Sequence, residues 1–213
     1  MEKIVVISVH PDDETLGCGG TIIKHLNNGD EVHCVLVTRG NSKQMHIWDK
    51  VKVAYGFSSV IELNFPELKL MDISLNKLIP PLSKAIYSIM PQTLIIPNRA
   101  DAHSDHKAIF NAVSACTKAF RYPFIEKVLM MEVISETDFI LSLPESQFIT
   151  NYYVDITKEF AKKQDILKIY ESELLPYPLT RNTSTMQALN RYRGSLINVE
   201  YAEAFMNVKT IER

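Results

Sequence analysis

The stretch His10-Pro11-Asp12-Asp13-Glu14 sets one imidazole beside three consecutive acids. On a turn stiffened by Pro11, an imidazole nitrogen and one carboxylate oxygen can face a single cation. A second carboxylate then stays free beside it, in reach of a proton. A related group follows at Asp101-Ala102-His103-Ser104-Asp105-His106. Three of the six histidines in the chain, His10, His103 and His106, fall in these two stretches. Helix capping would account for Asp12 or Asp13, and Glu14 would then favour the helix dipole. Capping does not account for a histidine and three acids set against a buried strand.

Both stretches follow apolar runs. Lys3-Ile4-Val5-Val6-Ile7-Ser8-Val9 is short and β-branched, the pattern of a parallel strand buried on both faces. Pro11 cannot pair inside a central strand, so the strand is expected to end near His10. Leu16, Ile22, Ile23 and Leu26 then recur at loosely helical spacing up to Asn28-Gly29. Thr93-Leu94-Ile95-Ile96 reads as a second inner strand, and a helical segment over 107–120 follows it. Parallel strands of one sheet would bring both turns to the carboxyl edge, where open α/β sheets place their ligand sites. Further strands are expected at 31–38, 60–63, 126–134 and 152–156, and helices at 43–55, 75–90 and 186–193. Pro80-Pro81 is expected to break or kink the second of these helices. Residues 201–205 read as a short amphipathic turn. The alternation predicts an α/β fold: a single-domain, Rossmann-like, doubly wound and mostly parallel sheet with helices on both faces.

The 213 residues carry 46% hydrophobic and 23% charged side chains and a formal net charge of −2, ordinary values for one globular domain. Such a charge gives no electrostatic case for nucleic acid or an acidic membrane. No apolar run is long enough to span a bilayer. The first strand begins at once, so a secretory segment is not expected. Cys18, Cys34 and Cys116 are too scattered for a disulfide framework or a Cys-x-x-Cys site, and a reducing cytoplasm is the expected compartment. Cys18 reads as a packing residue rather than a nucleophile.

The two turns together resemble those of the LmbE-like, or PIG-L-like, de-N-acetylases, zinc enzymes that remove acetyl from N-acetylglucosamine-type sugars. The resemblance extends over nearly the whole chain, as one domain of residues 1–213. It takes in Gly17-Cys18-Gly19-Gly20, Thr38-Arg39-Gly40, Tyr170-Glu171-Ser172-Glu173, Arg193-Gly194 and Tyr201-Ala202-Glu203-Ala204-Phe205. It implies a Zn2+ ion, with another divalent metal as the alternative, held by His10, Asp13 and His106. Asp12 is then the general base for a metal-bound water attacking the acetamide carbonyl. His103 would stabilise the oxyanion or protonate the leaving amine, and Asp105 would accept from His103 and hold it. Arg39 and Asn41, at the edge of the second strand, are candidate substrate contacts. Family members often carry an acid where this chain has Asn41, and commonly glutamine where it has Glu173.

The implied substrate is a small sugar or glycoconjugate. Relatives often assemble into oligomers, and no stretch of this chain marks an interface. Three competing readings remain at this level: a zinc amidase for a non-sugar amide, a nucleotide- or sugar-binding module without catalysis, and an inactive metal-binding scaffold. Against the second stands the spacing of Gly17-Cys18-Gly19-Gly20, which departs from Gly-x-Gly-x-x-Gly.

Overall fold

The computed structural model describes residues 1–212. Alternation of β-branched strands with amphipathic helices yields one seven-stranded sheet. Its strands are β1 (Lys3–Ser8), β2 (Glu31–Arg39), β3 (Ser59–Pro66), β4 (Thr93–Ile96), β5 (Lys127–Met131), β6 (Tyr152–Asp155) and β7 (Ala202–Thr210). They lie in the order β3-β2-β1-β4-β5-β7-β6. The first five pair in parallel, whereas β7 runs antiparallel to both β5 and β6. The chain winds outward from β1 through β2 to β3, returns to β4, and winds the other way to β5. The β1/β4 pair is therefore the switch point of the sheet.

The inner strands are apolar throughout because both faces are covered. Ile4 and Val6 of β1 enter one core, while Val5, Ile7 and Val9 enter the other. The first core is closed by α1 (Asp13–Asn27), α2 (Ser42–Tyr55), α5 (Phe160–Ile169) and α6 (Thr183–Ser195), through residues such as Leu16, Trp48, Ile166 and Met186. The second is closed by α3 (Leu75–Ile89) and α4 (Ser104–Ser114), through Leu78, Leu82, Ile86 and Ile109. The doubly wound α/β expectation is met. Among the described residues, no helix is long and apolar enough to cross a membrane.

Two local expectations are overturned. Helix α3 runs through Pro80 and Pro81 as one segment. Leu78, Leu82, Ala85, Ile86 and Ile89 bury one face on either side of the prolines, and that packing pins both turns to the same core. Residues 201–205 are not a turn: Ala202–Phe205 open strand β7, which pairs with β5 and β6. The signal was hidden by Glu203, a charge that is buried rather than solvent-facing.

Glu203 belongs to a device that bends α1. Cys18 takes non-helical angles (φ −149, ψ 23) within this helix. In an unbroken helix Gly20 N–H would donate to Leu16 C=O. Here Gly20 and Thr21 donate their N–H groups to the Glu203 carboxylate at 2.8 and 2.7 Å, and Lys163 Nζ reaches Leu16 C=O at 3.4 Å. Lys163 and Glu203 close the set with a 2.7 Å ion pair, both side chains being buried. Gly20 is required at the bend, because a Cβ there would stand 2.7–2.8 Å from Ile156. Gly19 would likewise meet Tyr55 Oη at 2.7 Å, so these glycines serve helix packing rather than ligand approach. Replacing Lys163 by Met leaves Glu203 buried and unpaired, and is expected to cost about 3–5 kcal/mol in denaturant unfolding. A loss below about 1 kcal/mol, the range of exposed pairs, would show that the pair does not hold the bend.

Candidate active site

Because β1 and β4 are neighbours, the turns that follow them meet. His10 leaves β1, Asp13 opens α1, and His106 lies in the first turn of α4. The candidate ligand atoms of His10, Asp13 and His106 all lie within 4.8 Å of one another. Asp13 Oδ2 sits 3.7 Å from His10 Nδ1 and 3.2 Å from His106 Nε2. His106 Nε2 is buried, yet makes no hydrogen bond despite that proximity. With His10 and Asp13 it offers two imidazole nitrogens and a carboxylate oxygen, a donor set that a divalent cation accepts. The second nitrogen of the same ring is fixed by Asp101, 2.8 Å from His106 Nδ1. Asp101 is held in turn by Thr137 Oγ1 at 2.7 Å and Asn98 Nδ2 at 3.2 Å. A carboxylate behind a ligating imidazole sets its tautomer and orientation.

The electrostatics agree with that geometry. Burial would lower the His106 pKa, but Asp13 and Asp101 hold it well above the usual histidine range. Burial would raise Asp13, and His106 and His10 hold it far below the usual carboxylate range instead. The surrounding carboxylates thus favour positive charge at this point, whether a proton or a bound cation carries it.

Asp12 precedes α1 with φ 120, in the left-handed region, and its side chain makes no capping bond. A non-glycine residue there costs about 1–3 kcal/mol. Glu14 holds it in place. Asp12 N–H donates to Glu14 Oε2 at 3.2 Å, while Thr15 Oγ1 and Tyr170 Oη donate to Glu14 Oε1 at 2.6 and 2.9 Å. Ser8 Oγ approaches Oε2 at 3.1 Å. The Asp12 carboxylate instead meets Arg181 Nη1 at 3.2 Å. Burial pushes Asp12 well above its ordinary pKa, with Arg181 opposing the rise.

His103 completes a triangle of imidazoles, its ring centroid 4.4 Å from that of His10 and 5.5 Å from that of His106. Burial and the two neighbouring rings lower its pKa. Asp105 does not hold it in the expected way. Asp105 N–H donates to His103 Nδ1 at 3.1 Å, but the Asp105 carboxylate turns to Leu68 N–H (2.7 Å), Leu70 N–H (3.0 Å) and His10 Nε2 (3.2 Å). The start of α4 sends that side chain towards the loop after β3, leaving the backbone to contact His103. Asp105 therefore orients His10.

His10, Asp12, Asp13, His103, Gln44, Glu67, Leu68, Glu136, Glu173 and Arg181 line one cleft. Arg39 and Asn41 are not among its lining residues. Arg39 is exposed at the end of β2, and Asn41 caps α2, its Oδ1 accepting from Lys43 N–H and Gln44 N–H at 3.0 and 3.1 Å. Gln44, in the first turn of α2, lines the cleft instead. Sequence reasoning passed over Asp101, Glu136 and Arg181. Asp101 carried a signal, a carboxylate in the same short turn as His103 and five residues before the candidate ligand His106, whereas Arg181 carried none. Cys18 is fully buried, with its thiol pKa raised by that burial, as a packing residue should be.

A sequence profile described as PIG-L, GlcNAc-PI de-N-acetylase, matches residues 5–117, just over half of the chain. The chain belongs to the PIG-L family. A curated relative, the uncharacterized deacetylase YaiS of Escherichia coli K12, is 31% identical over 120 residues, which are 51% of this chain and 64% of YaiS. The match thus spans somewhat less than two thirds of that relative's length. The N,N'-diacetylchitobiose deacetylase of Pyrococcus horikoshii shares the fold with a TM-score of 0.74 at 20% identity, over 98% of this chain and 84% of that one. The 4-carboxy-2-hydroxymuconate hydratase GalB of Pseudomonas putida KT2440 shares it with a TM-score of 0.74 at 16% identity, over 100% and 98%. The PIG-L match contains both turns of the cleft. Replacement of Asp101 by Asn is expected to weaken zinc binding by about 10–100-fold, measured by competition with a chromogenic chelator. Unchanged affinity would remove Asp101 from the site.

Proposed function

We propose that this protein is a metal-dependent N-deacetylase acting on an N-acetylglucosamine-type sugar or glycoconjugate. The observation that carries the reading is the convergence of His10, Asp13 and His106 with a buried carboxylate, Asp12, left outside the ligand set. Zn2+ suits a donor set of two imidazoles and one carboxylate, and when bound it would supply Lewis acidity and lower the pKa of a water from ~15.7 towards ~7.

The chain's own residues supply the rest. Asp12 takes a proton from the water as its oxygen bonds to the acetamide carbon. His103 Nδ1 accepts from Asp105 N–H, so a proton on that nitrogen would set two N–H groups against each other. The neutral ring therefore carries its proton on Nε2, consistent with its lowered pKa. From there it donates to the carbonyl oxygen as charge develops, which makes His103 an oxyanion donor rather than the acid. Asp12 then passes its proton to the amine nitrogen as the C–N bond breaks, giving acetate and a free amine. Glu67, Glu136 and Glu173 line the cleft with acceptor oxygens, a wall suited to sugar hydroxyls. The deacetylase names of YaiS and the Pyrococcus enzyme support the same reaction class. Cys18, Cys34 and Cys116 are all unpaired and buried, which supports a cytoplasmic setting.

The test combines metal analysis with acetate release from N-acetylglucosamine and N,N'-diacetylchitobiose. Wild-type protein is expected to carry about one zinc, as a site with three protein ligands does, and to lose activity with a chelator. His106→Ala is expected to lose metal and acetate release together. Asp12→Asn is expected to keep its metal while kcat drops by about 10²–10⁴-fold. Near-normal turnover in Asp12→Asn would remove Asp12 as the base. Metal-loaded protein that cleaves a simple acetanilide but neither sugar would move the substrate to a non-sugar amide.

A further inference from the structure

We propose that Arg181 is a positioning residue that fixes the Asp12 carboxylate for proton transfer. The inference rests on the reading of Asp12 as the general base. Arg181 Nη1 lies 3.2 Å from Asp12 Oδ2, and Nη2 lies 3.3 Å from Glu136 Oε1. Among the described residues no other side chain bonds the Asp12 carboxylate, so Arg181 holds Oδ2 and leaves Oδ1 as the oxygen free to face a water. Glu14 fixes the backbone of Asp12 through its N–H but does not touch its carboxylate. Without Arg181, rotation about χ1 and χ2 of Asp12 has no polar restraint.

Arg181 is itself held on both sides. Thr180 Oγ1 pairs with Ser135 Oγ at 2.8 Å, Arg181 C=O accepts from Leu175 N–H at 2.7 Å, and Asn182 caps α6 by accepting from Thr185 N–H at 2.9 Å. Glu136, the second anchor, is tied to the metal-side turn because its carbonyl accepts from Ala102 N–H at 3.0 Å. The guanidinium is thus delivered from a pinned backbone to two carboxylates. Its Nε is buried without a hydrogen-bond partner. Both ion pairs of Arg181 go to carboxylates of the cleft, and one of these is Asp12.

The experiment uses zinc-loaded Arg181→Ala, Arg181→Lys and Asp12→Asn proteins. Each is assayed for zinc content, unfolding midpoint and acetate release from N,N'-diacetylchitobiose, and Arg181→Ala is crystallised. For Arg181→Ala, kcat is expected to fall by about 10–100-fold, the scale of a misplaced reacting group, with zinc content unchanged and a lower unfolding midpoint, since Asp12 and Glu136 lose their cation. KM should stay within about twofold, since no ground-state contact is lost. Arg181→Lys, and methylguanidinium added to Arg181→Ala, should each restore part of kcat. The crystal should show the Asp12 carboxylate moved, or in more than one rotamer. A rise in KM alone would make Arg181 a sugar contact and overturn the proposal. So would an unmoved Asp12 carboxylate, or an unchanged kcat in Arg181→Ala beside a silent Asp12→Asn. If Asp12→Asn itself keeps turnover, the base assignment has failed, and the position of the carboxylate in the Arg181→Ala crystal still decides whether Arg181 fixes it.

Discussion

The site depends on the parallel pairing of β1 with β4. Ile4, Val5 and Val6 stand opposite Thr93, Leu94 and Ile95, at the spacing of roughly 4.8 Å common to neighbouring strands. Both strands end at the same edge, and the turns after them carry His10, Asp13 and His106 to one point. The hydrophobic cores enforce this register. Val5 and Leu94 belong to one core, and Val6 and Ile95 to the other. A slip of one residue would exchange the two sets and set every side chain against the wrong helices. The apolar packing that makes the sheet stable is thus also what brings His10, Asp13 and His106 together.

What could be read in the sequence was chemistry compressed into a few residues. His10 to Glu14 and His103 to His106 each form a cluster too dense for an ordinary loop, and each follows a β-branched run that announces a buried strand. The rest needed orientation, which spacing does not carry. Asp105 stands two residues after His103, close enough to suggest a carboxylate–imidazole pair. The first turn of α4 points its side chain at His10 and at the amides of Leu68 and Leu70 instead. Asn41 follows a strand edge where a substrate contact is reasonable, yet its amide is engaged by the first turn of α2.

Long-range polar pairs were invisible for a different reason. Periodicity identifies buried apolar faces, and it treats a lone charge as a mark of solvent. Lys163 and Glu203 break that rule together, each buried because the other is present. Residues 202–205 consequently lost the appearance of a strand. Arg181 lies in a proline-rich loop with no pattern of its own, and its meaning comes from Asp12, far away in sequence.

The architecture alone does not select the reaction, since the hydratase GalB shares it. Selection must come from the side chains around the cleft, among them Asp12. Its backbone sits at φ 120, a conformation that persists only when its surroundings over-determine it. Glu14 provides that restraint through Asp12 N–H, and is itself held by Thr15 and Tyr170. Relaxing Asp12 into an ordinary helix cap would satisfy the backbone locally, with its carboxylate turned onto the N–H groups of α1 and away from the cleft. The strained conformation keeps that carboxylate out of the helix and in the cleft beside His10 and Asp13. The strain is therefore the local cost of keeping the Asp12 carboxylate in the cleft, rather than on a cap, at the start of α1.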